Sequence, residues 1–281
     1  MKNVVIVRTA ALGDVICTTP VVRRMRLENP DANIVVNTMY PDVFRRNPDA
    51  SAINFTIDDS YDVVSLDLAY EKDPHTHIVE AYMMKAFGSL GDPHMLQPQL
   101  FYPRGGLFPD KKKYIAVHAA QAGWSNRTLP RSLWKKVIDG LKGINAWPIL
   151  VGTARDDIPN LDVTRFHTPD ILAQARLIAS CACFIGSDSS LLHVAAATPT
   201  PIVGVFTSVH PEMRMPYRNG ILGYMCKAVQ PDMPCVGCLS RQPAPVTTES
   251  CERGDNACVR MVDPDQIIDA AVQLMLNWPW P

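Results

Sequence analysis

The apolar positions of this chain fall into short unbroken runs separated by longer stretches of helical period. Asn3–Val7, Asn33–Asn37, Val63–Leu68, Tyr114–His118, Ala146–Gly152, Cys183–Ile185 and Ile202–Phe206 are apolar or β-branched without alternation. Such runs predict strands covered on both faces, as in a parallel sheet. Between them, Val15–Arg26, Asp73–Gly88, Arg131–Leu141, Asp170–Ser180 and Leu191–Ala197 predict helices, and Asp263–Leu276 predicts a well-capped terminal one. Strand and helix alternate through both halves of the chain, so the pattern predicts two α/β lobes in tandem. In the first helix, Pro20 either occupies the first turn behind a Thr19 cap or disturbs a helix that starts near Asp14. Residues 88–113 are dense in Pro and Gly and lack a period, which predicts a linker between the lobes. Its Lys111–Lys113 run predicts a solvated lead-in to the next strand.

Two turns carry candidate chemistry. In Ala182–Val205 a short strand breaks at Gly186 and is followed by Asp188, Ser189 and Ser190, then by a small-residue helix stopped at Pro199. A helix start presents free N–H groups and the positive end of its dipole, which suits a phosphate, and the two serine hydroxyls add donors. Asp188 caps that helix or holds a cation or a ligand hydroxyl. The second turn follows the first strand, where Asp14 lies past the strand's C-terminal end. That edge is where open α/β sheets bind ligands, and a carboxylate there acts as a general base or as a helix cap. Arg127, in the loop after Tyr114–His118, is suited to bidentate phosphate contact or is a surface arginine. His75 and His77 do not share a helix face and read as loop or cap residues rather than metal ligands.

Composition narrows the classes. The chain has 281 residues, a formal net charge of −1 and an apolar fraction of 47%, so it can bury a large core but is not a general nucleic-acid binder. No apolar run reaches the ~20 residues of a membrane span, and charges come too early for a signal peptide. The expectation is a cytoplasmic protein without a disulfide framework. A nucleotide-sugar epimerase or reductase is disfavoured because the first βαβ unit has no GxGxxG.

The tail holds the other signal. Cys235-Val236-Gly237-Cys238 is a CxxC knuckle, and Cys251 and Cys258 follow it. Four close thiolates suit a structural tetrahedral zinc or iron site, with free thiols or a redox pair as the alternative. Cys17, Cys181, Cys183 and Cys226 read as ordinary buried or incidental cysteines.

Several of these segments line up with one family. Val7–Pro20, VRTAALGDVICTTP, resembles the opening motif of the bacterial heptosyltransferases, glycosyltransferase family 9. Arg127–Pro130 with Trp134, Gly186–Ala196 and the Cys258–Pro264 tail are similar to that family's later motifs. The match runs nearly end to end. Departures are Arg127 in place of lysine, Leu129 in place of tryptophan and Ser190 where glycine is frequent. The resemblance implies a GT-B architecture of two Rossmann-like lobes facing across a cleft. It implies residues 1–110 as the acceptor lobe and 111–281 as the nucleotide-sugar donor lobe. It further implies an inverting transfer from an ADP-heptose or similar donor to a lipopolysaccharide-core or other glycan acceptor, without a catalytic metal. Asp14 is then the base; Arg127, Asp188, Ser189, Ser190 and Leu191 bind the donor, and His193 supports them. Some relatives glycosylate autotransporter proteins and hold iron through four cysteines, so a protein acceptor is an alternative. A catalytically silent nucleotide-sugar-binding protein is another. A lipid-linked acceptor implies peripheral contact with the cytoplasmic face of the inner membrane.

Overall fold

The computed structural model describes residues 2–108, 114–120, 123–246 and 251–277. In chain order the first lobe holds β1 (Asn3–Val7), α1 (Leu12–Ile16), α2 (Thr19–Glu28), β2 (Asn33–Asn37), β3 (Ala52–Ile53), β4 (Asp62–Ser65) and α3 (Ile78–Phe87). The second holds β5 (Tyr114–His118), α4 (Arg131–Gly143), β6 (Trp147–Gly152), β7 (Thr164–His167), α5 (Ile171–Ala179), β8 (Cys183–Ser187), α6 (Ser190–Ala196) and β9 (Ile202–Val205). It continues with β10 (Tyr217–Arg218), β11 (Ile221–Leu222), β12 (Cys226–Val229), α7 (Ala257–Arg260) and α8 (Pro264–Asn277).

Among the described residues the strands build two large sheets and a small antiparallel pair, β10-β11. The first large sheet runs β3-β2-β1-β4 and the second β12-β9-β8-β5-β6-β7. All pairings within these two are parallel: Val5 stands opposite Val35 and Val63, and Val117 stands opposite Ile185 and Leu150. This is the α/β, GT-B arrangement of paired Rossmann-like lobes. The central strands were legible because both their faces are covered; Val4, Val5 and Ile6 are buried, as are Phe184 and Ile185. The sequence pattern misses β3, β7 and β12, which lie at sheet edges. An edge strand has less to bury, and Thr164-Arg165-Phe166-His167 lacks an apolar run.

Three boundaries differ from expectation. The first helix is two pieces, α1 and α2, broken at Cys17-Thr18, and Pro20 occupies the first turn of α2. Thr18, not Thr19, stands at the cap position, and its hydroxyl donates back to the Val15 carbonyl. Strand β4 stops at Ser65 because the chain turns there, with Leu68 at φ 58°. Helix α3 starts at Ile78 rather than Asp73, with His77 as its cap accepting from the Val79 N–H. His77 is therefore a cap, as expected. The connection after α3 is strapped to the first lobe: the Arg23 guanidinium donates to the carbonyls of Met95 and Gln97, and the Gln99 N–H donates to Thr19 Oγ1. Lys111–Lys113 lies outside the described residues.

Buried side chains form two clusters. One fills the first lobe and continues across to the inner face of the second sheet, through Ala116, Ile149, Phe184 and Leu192. The other covers the outer face of the second sheet with α4 and α8, around the fully buried Trp134. The lobes meet where α1 touches the start of α6. A β-carbon on Gly13 would lie 2.7 Å from His193 Cδ2 and 3.3 Å from Ser190 Cα, so only glycine permits this approach.

Candidate active site

On the first lobe the site is built around Arg8, the residue that leaves β1. Its guanidinium is almost wholly buried, and Nη2 donates to Asp14 Oδ2 at 2.5 Å and to Glu71 Oε1 at 2.7 Å. Nη1 reaches the Leu66 carbonyl, and the rings of Tyr70 and Tyr82 lie 5.5 and 5.6 Å from the guanidinium carbon. Burial works against this charge, but Tyr82, Asp14 and Glu71 outweigh it and hold Arg8 protonated. Asp14 sits in the first turn of α1, where Oδ2 also accepts the Ala11 N–H at 3.0 Å. It is therefore a cap as well as a candidate base. Among the described residues Oδ1 has only the Tyr70 hydroxyl, at 3.4 Å, which leaves it open to a further donor. A substrate hydroxyl approaching Oδ1 would meet an oriented, partly exposed carboxylate.

On the second lobe the polarity is reversed. Asp188 follows β8 and points inward, and Arg127 Nη1 donates to its Oδ2 at 2.9 Å. Ser189, not Asp188, occupies the cap position of α6, though its hydroxyl makes no hydrogen bond to the first turn. Burial pushes the Asp188 carboxyl up, but Arg127, then Arg214 and His193, pull it below the usual carboxylate range. The Arg127 guanidinium lies 4.4 Å over the Trp124 ring, held by its partner on one edge and by the indole on one face. Ser189 Oγ is bound to His118 Nδ1 at 2.9 Å, and His118 Nε2 faces Asp156 Oδ1 at 3.5 Å. The first-turn N–H groups of Ser190 and Leu191 have no intrahelical acceptor, as at any helix start.

Arg214 joins the two halves. It follows the turn Pro211–Met213, and its guanidinium carbon lies 4.6 Å over the Tyr70 ring of the opposite lobe. Burial opposes its charge; Tyr70, Asp188 and Asp14 more than restore it. Among the described residues it has no salt-bridge partner within 4 Å. His193 packs at the same seam, with Nδ1 3.3 Å from Cys17 Sγ. Burial lowers the imidazole and raises the thiol, which keeps the pair neutral.

The structure thus brings Asp14, Asp188, Ser189, Ser190 and Leu191 to one interlobe seam, with Arg127 paired to Asp188. Sequence reading missed Arg8, Tyr70, Glu71, His118 and Arg214. Arg8 and His118 each sit at a strand's C-terminal end, which was the available signal. Arg214 and the Tyr70-Glu71 pair lie in irregular turns and had none.

The four tail cysteines lie apart from this seam. Cys235, Cys238, Cys251 and Cys258 line one small cavity with Asn126, Glu252 and Arg253. Cys251 Sγ accepts the Asn256 N–H at 3.3 Å; burial pushes this thiol up, but this and neighbouring N–H groups bring it below its ordinary value. Burial, ahead of Glu252 and Cys258, pushes Cys238 up to about 11. The donor set and the N–H cradle fit a thiolate-bound metal. Among the described residues, however, no group of three or more His, Cys, Asp or Glu is arranged to hold an ion. The expectation of convergence is met, and that of a formed ligand shell is not. The loop bearing Arg127 is held nearby: Thr207, whose carbonyl accepts the Gly237 N–H of the knuckle, donates through Oγ1 to the Asn126 carbonyl, and Asn256 Nδ2 donates to Ser125 Oγ.

Two facing parallel-sheet lobes, with a carboxylate on one rim and a guanidinium and helix start on the other, make up a GT-B architecture. The family model for glycosyltransferase family 9 (heptosyltransferase) matches residues 53–242, and the chain belongs to that family. No curated protein matches it by sequence. Among solved structures, a family 9 glycosyl transferase from Veillonella parvula is 14% identical with a TM-score of 0.74, covering 99% of this chain and 98% of that one. The iron-containing dodecameric glycosyltransferase TibC from enterotoxigenic E. coli is 16% identical with a TM-score of 0.77, over 98% of this chain and 76% of that one. TibC has also been solved with ADP-D-beta-D-heptose. The E. coli ADP-heptose lps heptosyltransferase II is 15% identical with a TM-score of 0.69, over 99% of both chains. At these identities the likeness is one of fold. Among the described residues no helix is long and apolar enough to cross a membrane.

Proposed function

We propose that this enzyme moves a heptose, or a closely similar sugar, from an ADP-sugar to a glycan acceptor of the lipopolysaccharide-core type, with inversion and without a catalytic metal. Residues 1–110 form the acceptor lobe and 111–281 the donor lobe. The observation that carries the reading is the open Oδ1 of Asp14 on a carboxylate fixed by Arg8. Asp14 accepts the acceptor's proton as the new glycosidic bond forms. Arg127, Arg214 and the N–H groups of Ser190 and Leu191 meet the charge gathering on the departing diphosphate. Asp188 orients Arg127 rather than touching the sugar, and Ser189 is fixed by His118. A glycolipid acceptor places the enzyme in the cytoplasm at the inner membrane's cytoplasmic face.

The test is thermal unfolding with ADP, UDP, GDP and CDP added separately. ADP at about 100 times its dissociation constant is expected to stabilise the fold by ~2.7 kcal/mol, and the other nucleotides less. An equal response to all four, or none to any, overturns the ADP-sugar assignment.

The same reading gives Cys235, Cys238, Cys251 and Cys258 a structural zinc or iron. Bound there, the metal would supply rigidity to the Ser125–Arg127 loop and take no part in the transfer. Elemental analysis is expected to find one ion per chain, and Cys235→Ser to lower the melting temperature while reducing that content. A metal-free protein whose stability is unchanged by Cys235→Ser refutes the assignment.

A further inference from the structure

A second basic cavity lies between the lobes, away from the residues assigned above. It is open to solvent on one side, has a volume of about 230 Å3 and is lined by Arg45, Arg46, Pro103, Asp170, Leu172, Ala173 and Arg176. Arg45 and Arg46 belong to the turn after β2 on the first lobe, whereas Asp170 and Arg176 lie at the start and within α5 on the second. Both segments follow the C-terminal ends of strands, the edge at which α/β sheets receive ligands. The β2 turn is tied to the β1 turn that carries the proposed base, since the Met39 N–H donates to the Thr9 carbonyl at 3.0 Å.

Its charges do not balance. The lining holds three guanidinium groups and one carboxylate. That carboxylate is tied into the protein through one oxygen: Asp170 Oδ1 accepts the N–H groups of Leu172 and Ala173 at the start of α5 and Arg45 Nη2 at 2.8 Å. Arg45 also has Asp42 at 3.7 Å. Arg46 and Arg176 have no salt bridge or side-chain hydrogen bond among the described residues, and Arg176 Nε is buried without an acceptor. Arg46 is moreover held at φ 69°, a backbone region that costs a non-glycine residue energy and keeps its side chain on this turn. Three guanidinium groups lining one pocket against a single carboxylate leave it net positive, and their planar N–H edges match an oxyanion of phosphate type.

We propose that this interlobe cavity is a binding site for a phosphate-class oxyanion, separate from the donor's diphosphate site, with Arg46 and Arg176 as its principal ligands and Arg45 as a third. Because the arginines come from both lobes, the bound anion ties the rim of one lobe to the other, adding to the Arg45–Asp170 bridge. The oxyanion is either free phosphate or the phosphate of a phosphorylated sugar.

The test is isothermal titration of the full chain, saturated with ADP, by inorganic phosphate and by glucose 6-phosphate at matched ionic strength, with glucose as control. Saturation with ADP takes the donor site out of the measurement. If ADP fails to bind, the donor reading falls, and the same phosphate titration on the free enzyme still decides this site. Wild type is expected to bind at least one of the two phosphates and not glucose. The arm that binds more tightly identifies the source. Arg46→Gln is expected to weaken that binding about tenfold, the loss of one charge-assisted contact, and Arg46→Gln/Arg176→Gln to abolish it while ADP binding is retained. Arg46 is exposed and unpaired, so its single variant should fold even if the double variant does not. No phosphate binding by wild type, or undiminished binding by Arg46→Gln and by any folded double variant, overturns the proposal.

Discussion

The two lobes carry the same ion pair with its polarity exchanged. In the first lobe Arg8 is the buried partner, with 4% of its side chain exposed, and Asp14 faces outward at 17%. In the second Asp188 is buried at 3% and Arg127 faces outward at 25%. In each, the inner ion fixes the outer one, and in the proposed function the outer one is the group offered to substrate. Under that proposal the lobe that takes a proton presents its anion, and the lobe that holds a diphosphate presents its cation. The exchange explains why arginine and aspartate occur in both motifs without doing the same work.

The sharpest way to break this comparison is Asp14→Asn. It keeps the contacts with Ala11 and Tyr70 but removes the base, and the turnover number is expected to fall by ~10²–10⁴-fold with the ADP dissociation constant unchanged. Undiminished transfer in steady-state assays would show that the outward anion of the first lobe is not the base. The two arginines come next. Arg8→Gln strips a buried cation from two carboxylates and is expected to cost about 3–5 kcal/mol of stability by denaturant unfolding. Arg127→Gln leaves the buried Asp188 carboxylate without its main cation and is expected to cost about 1–2 kcal/mol, less than Arg8→Gln, while weakening ADP binding roughly 10- to 100-fold, with partial recovery in Arg127→Lys. If both variants lose stability and neither loses affinity, the inner and outer roles are not distinct.

The smallest effect concerns acid. Folding depresses the Asp188 carboxyl, net of burial, through Arg127 and Arg214. Its contribution is therefore complete above the unfolded carboxylate's pKa of ~3.9 and is lost as pH falls through the lower, folded value. Asp188→Asn keeps an oxygen for Arg127 and is expected to cost ~1–2 kcal/mol at neutral pH. The melting curves of the two proteins should converge below about pH 4. A gap that persists in acid would mean the pair does not account for it.

What could be read in advance follows the same physics. The central strands announce themselves because burial on both faces demands unbroken apolar runs, as in Asn3–Val7 and Cys183–Ile185. Asp14 and Asp188 were legible by position, each just past such a strand. Their partners were less so. Glu71 lies 63 residues from Arg8, and nothing in the local pattern around either announces that they meet. Arg214 acquires its place only when the two lobes close on Tyr70. The choice between cap and ligand at Asp188 also depended on packing, because Ser189 was an equally good cap.

The bare α-carbon of Gly13 is a spacer of minimal size. With α1 of one lobe resting directly on the first turn of α6 in the other, the proposed base lies one residue from the point of contact. Any larger side chain at position 13 would wedge the lobes apart here, so this glycine sets how closely the proposed base and the donor-side helix start approach one another.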